Sequence, residues 1–364
     1  PTRFPHWSFG KKFHKLMLQH RYGIARIHEL AYFSDPCQAF VLESNSPLEN
    51  KLVAAHVIAH SDFFKNNRCF FDARRNVAKM MAGHSRFIQE CMEAYGEELV
   101  ESFLDAALAL RQHIDPSYEP ESGETGLEKD LLLYIVRHSC AIADWQKNIL
   151  AMVREESRYF SALFHTRFLN EGWAAYWHTR ILREMDLSAS EGVEFALVNA
   201  AALEANGRML NPYRLGVDMF SHLDKTIGVS GMLALRREEN DVSFFQKYLD
   251  EEMTARLGLV VNMPGEDHTD GPQRCSPGEV RQHLLHSLAN CGSPHITVDA
   301  EGSTEDCLSL KHWFDGTPLR PDSVRRTLEQ IYPLWAGKIC LNTARGFQQI
   351  LYSFNGTRHF RRIL

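Results

Sequence analysis

The chain has 364 residues, 44% hydrophobic and 24% charged, with a net charge of −6, enough to bury a full core as one large domain or two. Lys and Arg are scattered along it, so neither nucleic acid nor an anionic membrane is expected as a partner. No apolar run approaches the roughly 20 residues that a spanning helix needs.

The eight cysteines form no Cys-x-x-Cys pair, a pattern of dispersed thiols that fits the reducing cytoplasm. The chain opens at Pro1 without a Met, so a leading segment is expected to be missing.

Apolar residues three and four apart predict helices over about 9–34, 48–67, 74–94, 97–113, 128–139, 142–160, 167–186, 190–205 and 241–256. The acidic stretch 115–130, rich in Pro and Gly, is expected to be a surface connection. From about residue 257 the pattern changes. "LGLVVNM" has strand character, and a helix then begins behind Ser276 and Pro277. "HITVDAEG" and "CLSLKHWF" alternate as strands, "RPDSVRRTLEQIYPLW" is helical, and "KICLNTA" is a last strand. The order βαββαβ predicts a ferredoxin-like unit. The expected fold class is therefore α+β: a large, mainly helical domain over 1–256, a small ferredoxin-like domain over 257–345, and a basic tail over 346–364.

One predicted helix poses a chemical question. In "LNEGWAAYWH" (169–178), Glu171 and His178 fall within about 20° of each other on the helical wheel. They lie inside an arc that also holds Trp173, Ala174, Trp177, Ile181, Leu182 and Met185. A carboxylate on an apolar face costs several kcal/mol unless it is protonated, paired or bound to a cation. An earlier helix offers a partner: in "LVAAHVIAHSDFF", His56 and His60 are at i, i+4, where two side chains meet over one turn. Two imidazoles and one carboxylate make the three-residue ligand set of a zinc site with an open fourth position.

Plainer readings exist for the same residues. The histidines can be core residues bonded to backbone or to Asp, and Glu171 can pair with Arg154 or Arg167. His178 lies two turns from Glu171, about 10.5 Å along the axis. That suits it to support a ligand, to bind substrate or to hold a second metal, rather than to share the same ion. Trp173, Tyr176, Trp177 and Tyr213 are candidates for an aromatic-lined cleft, although aromatics at this spacing commonly form core.

Two resemblances attach to these residues. "LNEGWAAYW" resembles the Asn-Glu-Gly-(Phe/Trp)-Ala-x-Tyr segment of gluzincin metallopeptidases, which implies gluzincin-like helices with Glu171 as the third zinc ligand. The chain departs from that pattern at Val57, where the general-base Glu of His-Glu-x-x-His would stand. The second resemblance is to the SpoVR family, through "PTRFPHWSFGKKF", "DPCQAFVLESNS", "LVAAHVIAHSDFFKNN", "DWQKNIL", "REESRYF", "NEGWAAYWH" and "NPYRLGVDMF".

The SpoVR resemblance implies a bacterial cytoplasmic protein linked to sporulation, spore cortex or stress. It also implies a serine protein kinase and a von Willebrand-type protein as partners. Further matching positions are Glu43, Asp62, Asn66, Asn67, His84 and Glu156. Glu43 or Glu156 is expected to replace the missing base if either reaches the metal-bound water. The plainer role for these acids is capping or packing, and for Asn66 and Asn67 a helix C-cap.

The first functional expectation is thus a zinc-dependent hydrolase of amide or peptide bonds, with His56, His60 and Glu171 as ligands and Glu43, Glu156 and His178 as catalytic candidates. The alternative is a non-enzymatic regulator, acting with the kinase and carrying a structural metal or polar cluster. A carboxylate-bridged di-iron oxidase would need Glu-x-x-His pairs, and the chain has none.

Overall fold

The computed structural model describes residues 4–21, 29–32, 36–71, 77–114, 127–203, 211–257, 262–263, 273–274, 276–288 and 292–364. Helix α1 (Trp7–Arg21) precedes strands β1 (Glu29–Tyr32) and β2 (Gln38–Val41), which lead to α2 (Pro47–Asn66), α3 (Val77–Tyr95) and α4 (Glu97–Ala109). Next come β3 (Leu127–Glu128), α5 (Leu131–His138), α6 (Asp144–His165), α7 (Arg167–Glu184) and α8 (Ala189–Leu203). Helices α9 (Pro212–Thr226), α10 (Gly228–Glu238), α11 (Asp241–Tyr248) and α12 (Glu251–Arg256) follow. The C-terminal part contains β4 (Asn262–Met263), β5 (Gln273–Arg274), α13 (Pro277–Leu288), β6 (Ile296–Asp299) and β7 (Cys307–His312). It ends with α14 (Pro321–Trp335), β8 (Lys338–Arg345), β9 (Gln348–Phe354) and β10 (His359–Ile363).

The chain forms two units that interleave in sequence: residues 1–15, 78–161 and 293–364 make one, and 16–77 and 162–292 the other. The expected consecutive blocks 1–256 and 257–345 do not coincide with this division. Mainly helical α+β architecture is what the structure has, but the ferredoxin-like arrangement is not formed. The sheet of the first unit has six strands in the order β10-β9-β8-β7-β6-β3. Among the described residues only β7 and β8 run parallel, joined by the crossover helix α14.

The expected first strand is instead a short ladder of β4 with β5 in the second unit. The expected tail pairs as β9 and β10, so it belongs to the sheet. Its signal is "FNGTRHF": Asn-Gly suits a tight hairpin, and Gly356 adopts φ 92 there. The predicted helix over 9–34 is described over Trp7–Arg21, residues 22–28 lie outside the described residues, and Glu29–Tyr32 pairs antiparallel with Gln38–Val41 instead of continuing a helix. In the first unit, Leu308, Leu310, Ile339, Leu341, Ile350, Tyr352 and Phe354 of the sheet bury against Val324, Leu328 and Ile331 of α14.

The second unit is centred on α7, which packs against α2 and α9. Its crossing with α9 is set by two glycines. A Cβ on Gly172 would lie 2.6 Å from the Gly216 Cα, and one on Gly216 would lie 1.9 Å from the Gly172 Cα. No side chain fits between backbones that close. Trp173 and Tyr176 join Met219, Phe220, Phe244 and Phe245 in the core of this unit, so these two aromatics are packing residues rather than cleft walls. Among the described residues, no helix is long and apolar enough to cross a membrane.

Candidate metal centre

Helix α2 starts at a full capping box: Ser46 Oγ accepts from the Glu49 amide at 3.0 Å, and Glu49 accepts from the Ser46 amide at 2.8 Å. Pro47 occupies the first turn. Ser46 Oγ also donates to Glu194 at 2.6 Å, and Lys51 pairs with Glu191 at 2.6 Å. These bonds fix α8 against α2. Helix α7 is started by a residue distant in sequence: Asp241 accepts from the amides of Phe168 at 3.0 Å and Leu169 at 2.8 Å. Burial pushes the Asp241 carboxyl up to about 7, even though these two amides pull it down.

With both helices placed, His56, His60 and Glu171 converge. Each offers one ligand atom, and these atoms all lie within 4.8 Å of one another. Among the described residues this is the single group of three or more His, Cys, Asp or Glu so arranged. The two Nε2 atoms of His56 and His60 are 3.0 Å apart, and His60 Nε2 is 3.7 Å from Glu171 Oε2. Donors bound tetrahedrally to zinc at about 2.0–2.1 Å stand about 3.3 Å from each other. These two separations bracket that value, and the third, between His56 and Glu171, is within 4.8 Å.

The surrounding bonds decide which nitrogens carry protons. Asn199 Oδ1 accepts from Thr179 Oγ1 at 3.3 Å and faces His178 Nε2 at 3.2 Å, so Nε2 of His178 is the protonated nitrogen. Burial, reinforced by His60, pushes His178 down to about 4, against the opposing pull of Asn199. The neutral ring therefore has a lone pair on Nδ1. His56 Nδ1, 2.9 Å away, must donate to it. His60 Nδ1 likewise donates to Asn170 Oδ1 at 2.9 Å. These assignments follow from the bonding network rather than from hydrogen positions. With these assignments the Nε2 atoms of His56 and His60, 3.0 Å apart, are the ring nitrogens turned toward each other.

The other expected site residues fall as follows. His178 lies beside His56, Nδ1 to Nδ1 at 2.9 Å, and is not one of the three clustered residues. Glu171 has 28% of its side chain exposed, so it sits at the edge of the apolar face rather than deep within it. Neither arginine considered for it is its described partner: Arg154 bonds Asp130 at 2.7 Å within the first unit, and Arg167 lies in the field of Asp241. Glu43 is exposed on the turn before α2.

Glu156 belongs to the first unit, where it is buried and meets His84 Nδ1 at 3.1 Å. Asn66 and Asn67 are structural: Asn66 Nδ2 donates to the Asp62 carbonyl at 2.7 Å, and buried Asn67 donates to the carbonyls of Arg236 at 2.7 Å and Glu239 at 2.8 Å. Asp62 pairs with Arg236 and accepts from Trp173 Nε1 at 3.2 Å. The Tyr213 ring lies 6.0 Å from that of His56.

Asn170 and Asn199 were not singled out from the sequence. Their signal was available: Asn170 sits beside Glu171 in the mainly apolar stretch "FLNEGWAA", and Asn199 is the one polar residue of "FALVNAAAL", where a buried polar group needs a partner.

A family profile described as "SpoVR like protein" matches residues 1–128 and 121–292. Among curated proteins, "Uncharacterized protein YcgB" of Escherichia coli (strain K12) is 28% identical over 286 residues. That match covers 62% of this chain and 55% of the relative, so the chain spans about half of that protein's length. No solved structure matches. The gluzincin likeness stays confined to the segment around Glu171, where Gly172 already has a packing reason in its contact with Gly216.

Proposed function

The chain belongs to the SpoVR-like protein family, and we propose that its second unit holds one divalent transition cation, zinc in the first instance, on His56, His60 and Glu171. We further propose that it uses this cation to hydrolyse an amide-type bond. The carrying observation is the convergence of the three side chains: their ligand atoms all lie within 4.8 Å of one another, with the two histidine Nε2 atoms 3.0 Å apart. Two acceptors at that distance repel unless a proton or a cation lies between them, and Glu171 adds negative charge on the same side.

Catalysis rather than pure support is favoured by the donor count of three among the described residues. Structural zinc sites close with four protein ligands, whereas catalytic ones use three and keep a position open. The partial exposure of Glu171 gives that position access to solvent. A cation there supplies Lewis-acid activation of water and of a carbonyl. The chain's own part is to hold the ligands: Asn170 orients His60, and the Asn199–His178 pair orients His56.

The test is elemental analysis of untagged protein, alongside Glu171→Ala and His56→Ala. About one equivalent of metal is expected in the parent and a small fraction of that in the variants. Less than about a tenth of an equivalent in the parent overturns the reading.

A second reading is a structural cation in a regulator that acts with a serine protein kinase and a von Willebrand-type protein. It is favoured by the positions of the two acids expected to act as base, Glu43 exposed and Glu156 engaged by His84. Metal-loaded protein that cleaves none of a panel of peptides and acyl-amino acids would select it, provided that Glu171→Ala still binds the kinase.

A further inference from the structure

We propose that one face of the six-stranded sheet in the first unit binds single-stranded RNA. This surface is separate from the metal reading, which concerns the second unit.

Successive side chains of a strand alternate between the two faces of its sheet. Among the described residues, the sheet feeds the core from one face, through Leu308 and Leu310 of β7, Ile339 and Leu341 of β8, and Ile350 and Tyr352 of β9. The register fixes what stands on the other face. One row across the strands is Arg362, Leu351, Asn342, Lys311 and Thr297. The next is Phe360, Ser353, Cys340 and Ser309. Ser353, Cys340 and Ser309 are small and buried, whereas Phe360 is 52% exposed and Arg362 and Lys311 reach into solvent. Just past β7, Trp313 is 43% exposed. Its Nε1 donates to Thr297 Oγ1 at 3.1 Å, which ties the ring to this same face, and Lys311 Nζ lies 4.5 Å from the ring centroid.

Charge and shape select the occupant. Net charge over the whole chain argues against nucleic acid, yet the charge is segregated: no Asp or Glu follows Glu329, while Lys338, Arg345, Arg358, Arg361 and Arg362 do. The two rows likewise hold two cations and no carboxylate. A sheet face that only meets water is polar; this one adds two exposed aromatic rings to its cations. That combination matches an unpaired nucleic-acid strand, with phosphates against Arg362 and Lys311 and bases stacked on Phe360 and Trp313. Strands β10 and β7 are three spacings apart in the sheet, about 14 Å, a gap that a few nucleotides bridge. A duplex hides the faces of its bases and gains only the charge attraction. Asn342 stands half-buried between the two cations. Its amide both donates and accepts, as a ribose 2′-hydroxyl does, which favours RNA over DNA.

The experiment is fluorescence anisotropy of the full chain with a labelled, mixed-sequence RNA strand of about twelve nucleotides. The comparisons are its duplex, the DNA strand of the same sequence, polyglutamate, and anionic phospholipid vesicles. The RNA strand is expected to bind about tenfold or more tightly than the duplex. Phe360→Ala should weaken it about tenfold through lost stacking. Arg362→Gln and Lys311→Gln should each lower the slope of log affinity against log salt by about 0.7. All three positions are exposed, so thermal unfolding of the variants should match the parent's. The inference is overturned if the RNA strand does not bind at low salt, or if the duplex, the DNA strand, polyglutamate or the vesicles bind as tightly. It is equally overturned if Phe360→Ala binds RNA as the parent does.

Discussion

In the first unit His84 lies between two carboxylates, with Nδ1 3.1 Å from Glu156 and Nε2 3.3 Å from Glu155. In the second unit His60, His56 and His178 are held through Asn170 and Asn199. Burial pulls His84 down, but the two carboxylates outweigh it and the net shift is upward. Burial pulls His178 down to about 4, and an amide cannot reverse that. The same residue type is thus drawn toward its protonated form among carboxylates, as His84 is, and held toward its neutral form by burial among amides, as His178 is. Only a neutral base has a lone pair for a metal, which is why the second cluster is the candidate site and the first is an ion-paired clamp.

The largest effect is expected where the second cluster is assembled. Gly216→Ala places a Cβ 1.9 Å from the Gly172 Cα, and backbone cannot yield as a flexible side chain can. The expected loss is about 3 kcal/mol, with hydrogen-exchange protection lost in α7 and α9 and metal content falling with it. Unchanged thermal unfolding would mean that the crossing does not position Glu171. Next is His84→Leu, which takes the imidazole 3.1 Å away from the almost fully buried Glu156. Removing one member of a buried pair costs about 3–5 kcal/mol; the lower figure fits here because Glu155 is largely exposed. Thermal unfolding should drop while metal per chain stays constant. If metal content fell as well, the contrast between the two clusters would be broken.

The contrast also explains what the sequence could and could not reveal. His56 and His60 were legible because an i, i+4 pair on an apolar face is a local pattern, and Glu171 because a carboxylate inside an apolar arc needs an explanation. Asn199 is twenty-one residues from its partner His178, and Asp241 caps a helix that begins at Arg167; helical periodicity carries no information about such pairings. Helices α9 and α10 went unforeseen although Asn211 and Pro212 form a sound N-terminal signal, with Asn211 accepting from the Tyr213 amide at 2.9 Å. The tail was legible in principle from Asn355 and Gly356, yet its sheet partner had to be found in three dimensions.

A smaller effect sharpens the comparison at Asn199. Asn199→Ala removes the acceptor for His178 Nε2, so the ring is free to exchange tautomers and no longer obliges His56 to donate from Nδ1. Loss of such outer support typically costs about 10–100-fold in metal affinity. About tenfold is expected here, because His60 and its Asn170 bond remain. Competition with a chromogenic chelator measures this. An affinity equal to the parent's would show that the tautomer chain does not govern the site.

The smallest effect is a pH dependence that belongs to the first cluster. His84 is raised in the folded state, so it binds more protons than the unfolded chain does above the ordinary histidine range near 6.5. Its contribution to stability is full below that value and is lost as pH rises through the folded pKa. Asp241 acts in the same direction in a lower window. Raised from 3.8 to about 7, it favours the fold when protonated and loses that contribution as pH climbs from about 4 to 7. Chemical denaturation of the parent, His84→Gln and Asp241→Asn across pH 4 to 9 separates the two. The Asp241 variant should flatten the curve below about 7 and the His84 variant above about 6.5. A His84→Gln curve that parallels the parent above neutrality would mean that the carboxylates do not hold an imidazolium there, and the distinction between the two clusters would lose its electrostatic basis.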